Sequence, residues 1–111
     1  MTANAYQRAA LRTANKRLGK KSQLQNGIMG LCSESGEALD ILKKYNFQGH
    51  ELDKEHLVKE LGDVAWYLAI SAWALGYDLD EIFEMNIEKL NKRYPDGFKS
   101  EHSTNRKEGD I

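Results

Sequence analysis

Two acidic steps carry the chemistry that can be read from this chain: Glu34-Ser35-Gly36-Glu37 within GLCSESGEALDILKK, and Glu60-Leu61-Gly62-Asp63 within KELGDVAWYLAISAWAL. In each, two carboxylates sit three residues apart, which on a helix sets both toward one side. Both steps lie in apolar stretches, where ionised carboxylates are costly to bury unless a positive charge neutralises them. Four such groups converging between packed helices form a nest for a hard divalent cation, Mg2+ or Mn2+, which takes oxygen ligands. A di-iron carboxylate bundle would call for Glu-x-x-His on paired helices. His50, His56 and His102 do not follow a glutamate at that spacing, so redox iron is disfavoured.

The elements that must position these groups read as helices. One proline, Pro95, and few β-branched residues point to an all-α fold. The first helix is expected at about 3–18, with Ala10, Leu11, Ala14 and Leu18 roughly on one side, as a packing or oligomer-contact helix. Ser22-Gln23-Leu24-Gln25 is a capping-box pattern that starts the second helix, about 23–45. Its acidic face runs through Gly27, Gly30, Glu34, Glu37, Ile41 and Lys44, with Asn26 and Lys44 flanking the stripe as an amide and a cation for an anionic group. The two glycines are explained either by close helix packing or by room for a ligand.

Asp53 is the expected N-cap of the third helix, about 54–75, which stops at Gly76. Glu60, Asp63, Val64 and Tyr67 share one of its faces, and Trp66 and Trp73 occupy another side. The connector between the second and third helices is short, so the two are expected as antiparallel neighbours. Eight residues from Glu37 to Tyr45 and seven from Asp53 to Glu60 place both acidic steps about 10–12 Å from the loop at helical rise. Asp78 and Glu81 then cap a fourth helix, about 79–94. On it Asn86, Lys89 and Arg93 fall on one face, an amide and two cations of the kind that bind phosphates. Pro95-Asp96-Gly97 is a turn signal. The expected organisation is one helical domain over 1–99 and a polar tail over 100–111.

The bulk composition narrows the function classes. Of 111 residues, 41% are apolar and 30% charged, as in a globular domain, and the net charge of −1 offers nucleic acid or an anionic membrane no global attraction. No 18-residue uncharged run is present, so no membrane span and a cytoplasmic location are expected. Cys32 is the single cysteine, which excludes an internal disulfide framework. It reads as a small buried residue. No glycine-rich Walker loop occurs, so a nucleotide would be held through metal and side chains.

The two acidic steps, ELGDVAWYLA and NIEKLNKRYPDGF taken together resemble the MazG-type nucleotide pyrophosphohydrolases over about residues 24–99. The resemblance implies an all-α, four-helix-bundle-like fold that assembles as a homodimer or homotetramer. It implies Mg2+-dependent hydrolysis of a (deoxy)nucleoside triphosphate between the α- and β-phosphates. Glu34, Glu37, Glu60 and Asp63 would be the metal ligands and catalytic carboxylates. Asn86, Lys89 and Arg93 would contact the triphosphate, and Tyr67 and Trp66 are candidates for the base or sugar pocket. A non-catalytic helical module that binds a nucleotide or a protein is the alternative.

Overall fold

Five helices and no strand make up the computed structural model, which describes residues 1–111: α1 (Ala3–Leu11), α2 (Lys20–Phe47), α3 (Lys54–Ala74), α4 (Leu79–Arg93) and α5 (Ser100–Thr104). The chain forms two compact units, Met1–Leu79 and Asp80–Ile111.

In the first unit α3 is the central element, packed against both α2 and α1. The register of α2 on α3 is set where side chains are missing. A Cβ on Gly27 would meet Ser71, and a Cβ on Gly30 would meet the ring of Tyr67. Close helix packing therefore explains both glycines. As α2 is followed forward its partners on α3 run backward, from Ser71 to Tyr67 to Glu60, which makes the pair antiparallel.

Helix α1 is tied to α3 by polar groups. Gln7, buried, donates through Nε2 to the carbonyl oxygens of Ala69 at 3.2 Å and Tyr77 at 3.0 Å, and its Oε1 accepts from the amide of Leu79 at 3.1 Å. Trp66 Nε1 donates to Ala10 O at 3.2 Å and Thr13 Oγ1 at 2.8 Å. The apolar core between these contacts is small: Ala10, Ala69, Ile70, Ala72 and Leu79.

Several sequence expectations need correction. The first helix ends at Leu11, not near residue 18. Thr13 Oγ1 bonds back to Ala10 O, and Asn15 Oδ1 accepts from the Arg17 amide. These local side-chain bonds compete with the helix and turn the chain out of it. Ser22 is not the cap of α2, which begins at Lys20 behind Gly19, with no side-chain capping bond. Cys32 is exposed, not buried. It lies with Met29 and Leu39, 71% and 66% exposed, on an outer side of α2.

Other local signals hold. Asp53 Oδ1 accepts from the His56 amide at 3.0 Å and caps α3. Gly76, at φ 82°, ends it: the amides of Gly76 and Tyr77 bond to the carbonyls of Trp73 and Ala72, both at 2.9 Å. That reciprocal pair is the Schellman arrangement, which requires the left-handed conformation glycine adopts without strain. In the second unit α4 ends at Arg93, and residues 100–111 carry α5 and fold with α4.

Candidate functional site

The close approach at Gly27 and Gly30 continues one turn along α2 to Glu34, which is brought opposite Glu60 and Asp63 of α3. One carboxylate oxygen from each of these three residues lies within 4.8 Å of the other two. Three carboxylates in that volume repel one another, and the repulsion shows at Glu34. Its carboxyl is pushed above the ordinary value by its hydrogen bond with Glu60 first, then by burial and by the charges of Asp63, Glu60 and Glu37.

No lysine or arginine relieves the crowding. The chain's ion pairs to those cations run to Asp40, Glu55 and Asp110 instead. An all-oxygen donor set with surplus negative charge and no lysine or arginine partner fits a hard divalent cation. Glu34, Glu60 and Asp63 are the residues that would hold it.

Glu37 lies outside this oxygen cluster. It is exposed, and its charge acts on Glu34 and on Lys44. Lys44 itself is committed to Asp40 at 2.9 Å, a pairing that raises the lysine and lowers the aspartate from their ordinary values. Asn26 is exposed on α2. The Tyr67 ring packs at Gly30 and meets Trp66 edge-on, with centroids 5.0 Å apart, and the Trp66 N–H is engaged by α1.

Two residues at this cluster escaped the sequence reading. His56 Nε2 lies 2.8 Å from Glu60 Oε1. Their i,i+4 spacing on one helix could have revealed the pair, because such residues are neighbours on the surface. Tyr6 on α1 has its phenol pushed upward by burial first and by the negative charge of Asp63 second. No spacing rule links residues so far apart in sequence.

The second unit holds the expected phosphate-binding residues. Asn86 is exposed, and Lys89 and Arg93 line a cavity of about 520 Å³ formed with His102 and residues 105–111. Arg93 is already paired. Its Nε and Nη2 donate to the two oxygens of Asp110 at 2.8 and 2.7 Å, a fork-on-fork contact that raises the guanidinium and lowers the carboxyl from their ordinary values.

No curated protein and no solved structure matches the chain. No helix is long and apolar enough to cross a membrane. A family match does cover most of the chain: residues 23–98 fit the MazG nucleotide pyrophosphohydrolase domain. That span begins at the foot of α2, takes in all three clustered carboxylates and ends just past α4. The chain is a member of the MazG nucleotide pyrophosphohydrolase domain family.

Proposed function

We propose that the protein is a Mg2+-dependent nucleoside triphosphate pyrophosphohydrolase, cleaving a (deoxy)nucleoside triphosphate between its α- and β-phosphates to monophosphate and pyrophosphate. The observation that carries this is the carboxylate cluster of Glu34, Glu60 and Asp63, contributed by two facing helices and left without a lysine or arginine partner. A Mg2+ or Mn2+ ion bound there supplies charge neutralisation and Lewis-acid polarisation of phosphate oxygens.

The chain's own residues do the rest. His56 holds Glu60 by its Oε1 and so orients that carboxylate at the cluster. Glu37, close to the cluster but outside it, takes the proton of the attacking water as oxygen adds to the α-phosphorus and the bond to the β-phosphate bridging oxygen breaks. Asn86, Lys89 and Arg93 of the second unit are the candidates for phosphate contacts, the two cations being of the kind that stabilises the charge of departing pyrophosphate. Asn26, Lys44, Tyr67 and Trp66 remain candidates for contacts to base and sugar.

The same reading takes residues 1–99 as one MazG-like domain, places the protein in the cytoplasm and makes it a homodimer or homotetramer. Exposed Met29, Leu39, Val58 and Leu61 on α2 and α3 support an assembly, since apolar helix faces of this kind mark association surfaces. The test is pyrophosphate release from a panel of canonical and modified triphosphates, with Mg2+ and with EDTA. Metal-dependent formation of monophosphate and pyrophosphate is expected. Triphosphate binding without product would favour a non-catalytic nucleotide-binding module.

A further inference from the structure

We propose that the cavity of the second unit is an anion site held shut by an internal carboxylate: Asp110 occupies the Arg93 guanidinium as a phosphate would, and a polyphosphate gains the site by displacing it. This rests on the reading of Arg93 as a phosphate contact and adds a competitor for that contact. Asp110 lies outside residues 23–98, the span that matches the family.

The contact has the geometry of an anion-recognition pair. The two carboxylate oxygens accept from Nε and Nη2 along one edge of the guanidinium at 2.8 and 2.7 Å, and the two side chains are only 9% and 16% exposed. A carboxylate and a phosphate present the same spacing of acceptor oxygens to arginine, so one can replace the other.

The walls around the pair favour the replacement. The cavity's cations are Lys89, Lys92, Arg93, Arg106 and Lys107. Glu88, Glu108 and Asp110 oppose them. With Asp110 withdrawn, five cations face two carboxylates, a surplus that a single carboxylate satisfies poorly and a polyphosphate satisfies well. His102 lines the same cavity, and its Nδ1 is buried without a hydrogen-bond partner. Buried polar atoms are rarely left so, and the imidazole beside the latch is the one such group of the chain.

The probe is inorganic tripolyphosphate, titrated calorimetrically without divalent ions so that only side-chain cations hold it. Asp110→Asn keeps the shape and removes the charge. If the latch holds Arg93 in about nine of ten molecules, the variant binds about tenfold more tightly than the unaltered protein. Arg93→Gln is expected to bind weakly. Equal or weaker binding by Asp110→Asn, with Arg93→Gln still impaired, overturns the latch and leaves the reading of Arg93 standing. Unchanged binding by Arg93→Gln overturns both. A measurement on the unaltered protein decides the matter even if a variant fails to fold. Amide hydrogens over 105–110 are expected to exchange faster at saturating tripolyphosphate, and slower or unchanged exchange there overturns the proposal.

Discussion

Glycine at position 30 can be tested against glycine at position 36, because the two share one helix and differ in what a methyl group would meet. A Cβ on Gly30 collides with three atoms of the Tyr67 ring, whereas a Cβ on Gly36 meets nothing within 4 Å. Alanine in place of an interior helical glycine is worth about 1 kcal/mol to the helix in either case. At position 30 the ring or the helix must also retreat by more than about 1 Å to restore an ordinary carbon–carbon separation of about 3.5 Å. Overpacking of this kind costs about 1–3 kcal/mol. The obstacle is an aromatic ring carried by a packed helix, not a flexible tip, so the upper end applies and Gly30→Ala is expected to lose about 2 kcal/mol net. For a domain of this size that lowers the melting temperature by roughly 8–16 °C, while Gly36→Ala raises it by roughly 4–8 °C. Urea denaturation followed by circular dichroism measures both variants. The shift should reach the site too, because Glu34 stands one turn from Gly30 on the face toward α3, and Mg2+ should stabilise Gly30→Ala less than the parent. A Gly30→Ala protein as stable as Gly36→Ala would refute the argument that steric exclusion sets the α2–α3 register.

Gln7→Leu keeps bulk but leaves the Leu79 amide and the Tyr77 carbonyl without their side-chain partner, so a loss of about 1–3 kcal/mol is expected in the same denaturation assay. Glu34→Gln removes one charge from the crowded cluster: the metal-free protein should melt higher than the parent, and the Mg2+-induced rise should vanish, where an intact site gains about 2.7 kcal/mol at a hundredfold excess over Kd. The Asp110 carboxyl is held below its ordinary value of 3.8 by Arg93, so its contribution is present above about pH 3.8 and lost as pH falls through the depressed value. Melting temperatures of parent and Asp110→Asn should therefore differ at neutral pH and converge at the acid end. A gap that persists in strong acid would show that the carboxylate charge is not its source.

What the sequence disclosed and what it hid divide along the range of the interactions. Asp53 and Gly76 act on backbone groups within a few residues, so residue type alone places the ends of α3. The two acidic steps were legible because helical spacing and a short connector constrain them, and Glu34, Glu60 and Asp63 do meet. The position of Glu37 was not, since a cluster only 4.8 Å wide depends on the rotation of both helices, which Ser71 and Tyr67 fix from the other side of the interface. Helix α1 stops early for a reason split between near and far residues: Thr13 and Asn15 are visible locally, but the Trp66 indole that also takes up Ala10 O and Thr13 Oγ1 comes from α3. Arg93 read as a free phosphate ligand because its partner arrives seventeen residues later, beyond a turn and a short helix.

Both tryptophans of the chain stand on α3, Trp66 bonded to the end of α1 and Trp73 beneath the Lys20 ammonium, 5.3 Å from the ring centroid. The protein thereby carries two indole fluorophores in its first unit and none in its second. Indole emission follows the docking of α1 and the foot of α2, while α4 and α5 are dark to it. Ellipticity, which counts every helical turn, sees both units. Superimposed fluorescence and ellipticity melts would mean that the two units unfold as one cooperative body. Curves that separate would assign each transition to its unit without a label being attached.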